Sequence, residues 1–369
     1  MTVSSARPYP VEWPGWPAAY RAWPGACLYR GDVRTCLRAM PARSVQCCVT
    51  SPPYWGLRDY GTDGQVGMEA SPDCGTQGQA QCGGCFVCSM VAVFREVHRV
   101  LRDDGTCWLN LGDSYLPSGN LVGVPWRVAL ALQADGWVLR SDIIWYSPNK
   151  MPESVLNRCS KSHEHIFLLT KSQDYYYDGV AIKEESSNKR DVWVVPTRGY
   201  SGAHYATFSP RLITPCILAG TSEHGCCSRC RRPWERVVVR IDGQVNEERE
   251  AGDDLSRDRS FDWSRNGLPG SKSTLDGVPA VKETVGWQAA CGCGWKVTPC
   301  VVLDPFVGSG TTVATALTLG RAGVGVDLSE VYLRDNAVPR IEEAMGLPKV
   351  RTTRAMPADV PPAPRKMWG

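Results

Sequence analysis

The chain has 369 residues, 43% of them hydrophobic and 21% charged, with a formal net charge of +3. This length can bury one large core or two modest ones, and the small charge confines any nucleic-acid-binding surface to a local patch. The sequence contains no run of 18 apolar residues, so we expect no membrane span, and the N-terminus lacks a signal-peptide pattern. The 17 cysteines therefore favour metal ligands over disulfides. We expect one cytoplasmic enzyme with no membrane partner.

Strand and helix patterns alternate along the chain after a Pro- and Trp-rich N-terminal arm, residues 1–26, which we expect to be irregular. Apolar runs predict seven strands, at 27–30, 45–49, 106–111, 139–146, 164–169, 301–304 and 323–327. Helical patterns follow at 86–101, 124–134, 311–319 and 329–345. Pro339 should kink the last helix. The alternation predicts an α/β fold, a three-layer α/β/α sandwich around a seven-stranded, mostly parallel sheet.

The second predicted strand ends in Thr-Ser-Pro-Pro-Tyr-Trp, residues 50–55. Pro52 and Pro53 fix φ and remove two N–H donors, so the carbonyls of Ser51 and Pro52 should point into the space beyond the strand. Tyr54 adds a flat π-face beside them. A rigid row of acceptors next to a stacking surface suits a planar ring held by its exocyclic amino group. The alternative is an ordinary strand exit, which proline often makes.

A second motif, residues 301–312, reads Val-Val-Leu-Asp-Pro-Phe-Val-Gly-Ser-Gly-Thr-Thr. A strand meets a glycine-rich turn and a helix, and the next strand ends in Asp327. Such glycines allow a ligand close to the backbone, and an acid about 20 residues on can bind ribose hydroxyls. The nicotinamide fingerprint needs a third glycine where Val313 stands, and the phosphate-binding loop needs a lysine that this turn lacks.

Together the two motifs resemble those of the amino-methylating DNA methyltransferases, which modify N4 of cytosine or N6 of adenine. The catalytic loop precedes the cofactor loop, which resembles the β class, a circular permutation of the S-adenosylmethionine-dependent methyltransferase fold. The resemblance covers most of residues 27–342. It extends to four further segments: Gly31-Asp32, 109–113, 163–168 and 204–208, the last followed by Ser209 where the family usually has proline.

The resemblance implies S-adenosylmethionine as cofactor and double-stranded DNA as partner, in the cytoplasm of a bacterium or a phage-infected cell. It makes Ser51, Pro52, Pro53 and Tyr54 the catalytic loop. It implies a cofactor site in which Asp32 reads the adenine and Asp327 the ribose. The remaining cofactor-binding residues would be Thr207, Phe208, Asp304, Phe306, Gly308, Ser309, Gly310 and Thr311.

Serine at the first position of the catalytic loop resembles the N4-cytosine subgroup, whereas the adenine subgroup more often has Asp or Asn. The expected reaction is methyl transfer to N4 of a flipped cytosine in a restriction-modification context. N6-adenine methylation, methylation of RNA or protein amines, and a catalytically inactive zinc-ribbon DNA-binding protein remain alternatives. Neither Pro-Cys pair, at 215–216 and 299–300, continues into the Gln of C5-cytosine enzymes. No partner nuclease is identifiable, and a homodimer is left open.

Eight cysteines fall into two clusters whose spacing is typical of structural zinc sites. The first comprises Cys227, Cys230, Cys291 and Cys293, with Cys226 as a rival first ligand. The second comprises Cys74, Cys82, Cys85 and Cys88. Free reduced thiols are the alternative in each case.

The predicted organisation has two halves of one methyltransferase domain. Residues 27–185 form the catalytic half, with a Cys-rich insertion at 72–90, and residues 299–346 form the cofactor-binding half. Between them, 186–298 is a candidate target-recognition region with a flexible insertion at 241–286, and 347–369 is a disordered tail. Candidate DNA-contacting side chains are Arg58, Lys150, Arg158, Lys161, Trp55, Trp145 and Tyr146.

Overall fold

The computed structural model describes residues 16–57, 59, 61–74, 82–184, 187–197, 208–241 and 281–347. The strands there are β1 (Arg21–Trp23), β2 (Ala26–Arg30), β3 (Val45–Thr50), β4 (Leu101–Leu111), β5 (Val138–Tyr146), β6 (His163–Thr170), β7 (Val192–Val194), β8 (Cys226–Cys227), β9 (Glu235–Ile241), β10 (Val281–Gln288), β11 (Val297–Thr298), β12 (Val301–Asp304) and β13 (Ala322–Asp327). The α-helices are α1 (Val33–Ala39), α2 (Phe86–Val100), α3 (Val124–Ala134), α4 (Pro210–Gly220), α5 (Thr311–Thr318), α6 (Glu330–Tyr332) and α7 (Val338–Ala344).

One nine-stranded sheet has the order β1-β2-β13-β12-β3-β4-β6-β5-β7. The five strands from β2 to β4 in this order are parallel to one another. β1 pairs antiparallel with β2, and β6 is antiparallel to both β4 and β5. The sheet is therefore mixed but mostly parallel, as predicted, and β12, from late in the chain, lies at its centre beside β3.

Side chains alternate between two buried layers on opposite faces of the sheet. Cys48 of β3 packs into the layer built by α1, α2 and α3. Its neighbours Cys47 and Val49 pack into the other layer with α4. Helices α5 and α7 cover the same second face near β2 and β13. Helix layers on both sides of the sheet make an α/β/α sandwich, which is the arrangement that buries a central parallel sheet.

Several sequence expectations need correction. All seven predicted strands lie in the sheet, but β1 and β7 extend it to nine strands, so the predicted number was too low. The supposedly irregular arm contains β1, and the end of the expected flexible insertion, residues 281–286, belongs to β10. Most of that insertion, residues 242–280, and the tail 348–369 lie outside the described residues.

The segment from Ser329 to Met345 is not one kinked α-helix. A π-helical turn, Leu333–Ala337, separates α6 from α7. Pro339 stands in the first turn of α7, where a missing N–H costs no helical hydrogen bond. Proline therefore acts as a helix start here, and the irregularity lies in the preceding turn.

The carboxyl ends of β2, β13, β12 and β3 lie along one edge of the sheet, named here the carboxyl edge; the other is the amino edge. The chain leaves β12 toward β13 on one side, whereas it leaves β3 toward β4 on the other. Ligands of open α/β sheets bind in the crevice at such a switch point. The Ser-Pro-Pro-Tyr loop after β3 and the glycine turn after β12 both start at this switch point. No helix in the described part of the chain is long and apolar enough to cross a membrane.

Gly220 ends α4 where the helix touches the sheet. A Cβ at this position would lie 2.4 Å from Oγ1 of Thr106 and 2.7 Å from Sγ of Cys47. We expect Gly220→Ala to lower the free energy of unfolding by about 1–3 kcal/mol through overpacking, measured by chemical denaturation. Gly286→Ala is the matched control, because no atom of the described residues lies within 4 Å of its added Cβ. Equal stabilities of the two variants would contradict this close packing of α4.

Candidate active site

Three acidic residues stand at the carboxyl edge. Asp304 ends β12 and Asp327 ends β13, the strand beside it. Asp32 follows β2, whose Arg30 is the register partner of Asp327. The structure thus brings together, on three adjacent strands, acids that are far apart in the sequence. They continue the row that begins with the Ser-Pro-Pro-Tyr loop after β3.

Asp304 is a buried carboxylate that joins the two motifs. Its Oδ1 accepts a hydrogen bond from the Thr50 hydroxyl at 2.7 Å, and its Oδ2 accepts one from the Thr312 hydroxyl at 2.6 Å. The backbone N–H of Phe306 also donates to Oδ1, at 3.1 Å. Burial raises the pKa of Asp304 to about 6. Since both oxygens are engaged within the protein, this carboxylate holds β3, the glycine turn and α5 in place.

Asp327 holds the glycine turn from the other side. Its Oδ2 accepts from the N–H of Gly308 at 2.9 Å, and its Oδ1 accepts from the N–H of Ser329 at 2.8 Å. Gly308 and Gly310 have φ values of +47° and +79°, which glycine adopts without strain. A Cβ on Gly310 would lie 2.9 Å from Cα of Ala337. Packing against the π-helical turn therefore also requires glycine there.

The hydroxyls of Ser309 and Thr311 have a structural task. Both accept hydrogen bonds from the guanidinium of Arg340 on α7, the one to Ser309 at 2.7 Å. Both residues are buried. Phe306 is partly buried and packs against the first helical layer. These side chains shape the turn, whereas its glycine backbone is the part that a ligand could approach.

Asp32 is the N-cap of α1. Its carboxylate accepts from the N–H groups of Arg34 and Thr35, at 3.0 and 3.1 Å. The hydrogen bonds from the Arg34 side chain lower the pKa of Asp32, so it is ionised at neutral pH. Phe208 is buried in the second layer, before α4. Thr207 lies outside the described residues.

The Ser-Pro-Pro-Tyr loop belongs to a hydrogen-bond network after β3. The Ser51 hydroxyl donates to the Tyr54 phenol oxygen at 3.2 Å, and that phenol donates to Oε2 of Glu164 at 2.6 Å. Nδ2 of Asn110 donates to Tyr54 at 2.8 Å, to Glu164 at 3.1 Å and to Ser51 at 3.3 Å. Lys150 lies 3.7 Å from the other oxygen of Glu164. These contacts fix the loop and run from Ser51 to a carboxylate.

Two further features shape this network. The Tyr54 ring packs against Gly112, where an added Cβ would lie 2.5 Å from Cε2 of the ring. Oδ1 of Asn110 is buried and has no hydrogen-bond partner among the described residues. A buried acceptor left unpaired is costly, which makes it a candidate for a ligand's N–H. Pro52 is buried and Pro53 partly buried beside it.

Asn110 and Glu164 were not predicted as site residues. Register places them together: β4 and β6 pair antiparallel, with Asn110 opposite Ile166 and Leu111 opposite His165. The available signal was a polar residue inside the apolar run of β4. Nothing local in the sequence distinguishes Glu164 from an ordinary acid at the start of a strand.

The side chains predicted to contact DNA differ in how far they are buried. Trp55 and Trp145 are buried and donate to backbone carbonyls, so their predicted stacking role is wrong for this conformation. Lys161 donates to the carbonyl of Asp113, and burial lowers its pKa. Arg158 lies over the Tyr115 ring, 3.7 Å from its centroid. The exposed aromatic candidate is Tyr146, and Arg58 lies outside the described residues.

Both cysteine clusters come together. In each cluster the four Sγ atoms all lie within 4.8 Å of one another. One cluster comprises Cys74, Cys82, Cys85 and Cys88, and the other comprises Cys227, Cys230, Cys291 and Cys293. Cys226 is outside the cluster that contains Cys227, since its thiol donates to the carbonyl of Pro299 at 3.6 Å. The geometry therefore selects Cys227 over Cys226 as the first member of its cluster.

A family model described as DNA methylase, of the N6/N4 type, matches residues 45–227 and 300–338. The chain belongs to this family of DNA methyltransferases. Its two matched parts contain the Ser-Pro-Pro-Tyr loop, the residues Asn110 and Glu164, and the glycine turn. The segment left between them contains Cys230, Cys291, Cys293 and the β9–β10 ribbon.

Bacterial relatives agree with this assignment. The enzyme is 48% identical over 231 residues to the Type II methyltransferase M.Cfr9I of Citrobacter freundii, covering 53% of this chain and 73% of that one. It is 31% identical over 420 residues to M.SfiI of Streptomyces fimbriatus, covering 87% and 92%. Among solved structures, the cytosine-N4-specific PvuII DNA methyltransferase matches with a TM-score of 0.55 at 15% identity, covering 87% and 90% of the two chains, which shows a shared fold.

We expect the buried Asp304 to make stability depend on pH. Its pKa is raised from 3.8 to about 6 in the folded state, so its contribution is favourable below pH 4 and is lost as the pH rises through 6. In Asp304→Asn this loss is absent. The unfolding free energy of the variant relative to the parent should therefore rise by about 2 kcal/mol between pH 4 and pH 7, measured by urea unfolding without cofactor. The exposed Asp335→Asn is the control, and a pH-independent difference for Asp304→Asn would contradict the shift.

Proposed function

We propose that the enzyme transfers a methyl group from S-adenosylmethionine to N4 of cytosine in duplex DNA, by direct in-line attack of a flipped base. The observation that carries this proposal is the position of the Ser51–Tyr54 loop at the switch point, beside the glycine turn of β12. The circularly permuted order of the β class supports it as well, since β3 and its loop precede β12 in the chain but adjoin it in the sheet. Serine as the first residue of the loop favours cytosine over adenine.

The residues at the carboxyl edge fit S-adenosylmethionine. Asp32 and Asp327 would bind the adenosine part, and the backbone of Gly308 to Gly310 would approach the methionine part. Asp304 would position this turn without touching the ligand, because it is buried and its oxygens are engaged by Thr50 and Thr312. Asp32 and Asp327 are partly exposed by comparison. When bound, the cofactor supplies a methyl group made electrophilic by its sulfonium.

The protein's main chemical task is to activate a poor nucleophile. An exocyclic amine delocalises its lone pair into the ring, and acceptors on its hydrogens favour a tetrahedral nitrogen and stabilise the charge that develops. The Ser51 hydroxyl, the Pro52 carbonyl and Oδ1 of Asn110, which lacks a partner in the described part of the chain, are the acceptors that we assign to this role. Holding the amine in line contributes most of the rest.

The network also provides an exit for a proton. After methylation the amine must lose one hydrogen, and the chain of donors runs from Ser51 through the Tyr54 phenol to the Glu164 carboxylate. Each hydroxyl can pass a proton toward Glu164 while it accepts the next one. The Tyr54 ring would also stack on the flipped base, since the base is inaccessible inside a duplex.

The DNA-facing surface should include the loop between β5 and β6, residues 147–162, at the carboxyl edge. Lys150 and Arg158 lie on it, together with the exposed side chains of Met151 and Leu156. Exposed apolar side chains beside basic ones are typical of interaction sites. By contrast, β8 is joined to the amino edge, because Gln46 near the start of β3 donates to the carbonyl of Arg231 at 2.9 Å. Target recognition by 186–298 would then fall to its other parts, of which 198–207 and 242–280 lie outside the described residues.

DNA treated with the enzyme and S-adenosylmethionine should contain N4-methylcytosine, measured by mass spectrometry of its nucleosides. Gly308→Trp should abolish both the product and calorimetric binding of the cofactor, because its ring would fill the approach to the turn. N6-methyladenine as the sole product would assign the enzyme to the adenine subgroup. Cofactor binding without any methylated base would favour the inactive DNA-binding alternative or a different amine substrate.

Two substitutions of Tyr54 should separate proton transfer from stacking. Tyr54→Phe keeps the ring but breaks the donor chain, so kcat should fall about 10²–10³-fold, as for loss of one transition-state hydrogen bond, with little change in DNA affinity. Tyr54→Ala should also weaken capture of the flipped base by roughly 1–3 kcal/mol. Single-turnover rates and DNA binding would be measured for both.

Glu164→Gln should reproduce the kinetic effect of Tyr54→Phe, and Ser51→Ala should lower turnover without weakening cofactor binding. Glu184→Gln, an exposed acid paired with Lys189, is the control. Wild-type kcat in Tyr54→Phe would remove the phenol from the proton path.

A further inference from the structure

The sulfur positions in the cluster of Cys74, Cys82, Cys85 and Cys88 are unlike those of a disulfide. Sγ of Cys88 lies 3.8 Å from Sγ of Cys74 and 3.5 Å from Sγ of Cys82. A disulfide requires about 2.05 Å. Four thiolates around a tetrahedral zinc at about 2.3 Å have sulfurs about 3.8 Å apart. The spacing thus fits a shared metal ion.

Backbone donors in this cluster also point at sulfur. The N–H of Gly84 donates to Sγ of Cys82 and the N–H of Cys88 donates to Sγ of Cys85, each at 3.4 Å. Cys85 is the N-cap of α2, a helix of 15 residues. The amino end of this helix carries a partial positive charge, which stabilises the net negative charge of a metal bound by four thiolates. The backbone is therefore arranged for thiolates.

The cluster of Cys227, Cys230, Cys291 and Cys293 is built on two tight turns. In the first, the N–H of Arg231 donates to the carbonyl of Cys227 at 2.9 Å, and Arg231 has a φ of +63°. In the second, Gly294 follows the cysteine pair with a φ of +64°. A left-handed arginine costs of order 1 kcal/mol and persists only where its surroundings fix it. A metal held by both turns would do so.

We propose that each cluster binds one structural zinc ion through four thiolates, giving two zinc ions per chain. Four sulfur ligands close the coordination sphere, so neither ion has a position for a substrate. This assignment does not depend on the proposed methyl transfer, since no methyl-transfer step involves either metal.

The two centres support opposite edges of the sheet. The centre at Cys74 and Cys88 lies at the carboxyl edge, because α2 runs from it to the amino end of β4. It closes the segment that follows the catalytic loop. That segment is held by Trp55, whose indole donates to the carbonyl of Glu69 at 2.8 Å, and by Ser71, whose carbonyl accepts from the N–H of Phe86 at 3.1 Å.

The centre at Cys227 and Cys291 lies at the amino edge. The Arg102 guanidinium, near the start of β4, donates to the carbonyl of Cys230. This centre joins β8 and β11 at the base of the β9–β10 ribbon. It would hold together two parts of the chain separated by residues 242–280.

The test is the metal content of the full chain purified without chelators, measured by mass spectrometry of the elements. We expect about two zinc ions per chain, about one in Cys88→Ser and about one in Cys227→Ser. Cys159→Ser, an exposed cysteine outside both clusters, is the control and should keep two zinc ions per chain. Iron in place of zinc, or folded protein with no bound metal, would overturn the assignment.

Hydrogen exchange then separates the two centres. Cys88→Ser should speed exchange in 61–74 and leave the β9–β10 ribbon protected, whereas Cys227→Ser should do the reverse. If either variant fails to fold, cobalt substitution of the native protein replaces it. Two cobalt ions per chain with sulfur-to-metal charge-transfer bands support the sites, and spectra without such bands contradict them. Uniform loss of protection in both variants would contradict the separate roles.

Discussion

The buried carboxylate of Asp304 is the interaction on which the rest of the site depends. It accepts from Thr50, at the end of β3, and from Thr312, on α5. Thr50 belongs to the strand that carries the Ser-Pro-Pro-Tyr loop, and Thr312 to the helix that follows the glycine turn. Because burial raises the pKa of this acid to about 6, keeping it ionised at neutral pH costs free energy. In return, the carboxylate keeps the two loops at a fixed distance from each other through Thr50 and Thr312.

The two loops alone do not complete the site, because β4 and β6 supply the groups that orient Ser51 and Tyr54. Asn110 and Glu164 meet the loop only after β6 has paired antiparallel with β4. Gly112 is equally necessary, since the Tyr54 ring occupies the space of its missing side chain. The Ser-Pro-Pro-Tyr motif could be recognised locally, whereas these three partners are defined by register and packing.

Much of the fold could be predicted because its central strands are continuous apolar runs, as expected for strands covered on both faces. β1 and β7 were missed because three-residue edge strands have no periodicity to detect. α4 was missed because Pro215 stands inside it, and proline usually argues against a helix interior. Spacing identified both cysteine clusters, yet the choice between Cys226 and Cys227 required their opposite orientations on β8, which alternate as on any strand.

Two polar side chains of β3 connect the register of the sheet to both of its ends. Near the amino end of β3, Oε1 of the Gln46 side chain accepts from the N–H of Val301 at 2.7 Å, and Nε2 of the same side chain donates to the carbonyl of Arg231 at 2.9 Å. Near its carboxyl end, Thr50 donates to Asp304 at 2.7 Å. Gln46 and Thr50 are four residues apart on β3, about 13 Å at 3.3 Å per residue. Their partners on β12, Val301 and Asp304, are three residues apart. A slip of one residue would break both bonds and exchange the faces of Cys47 and Cys48. The same two polar side chains that fix the register of β3 therefore fasten the amino-edge turn and align the catalytic loop with the glycine turn.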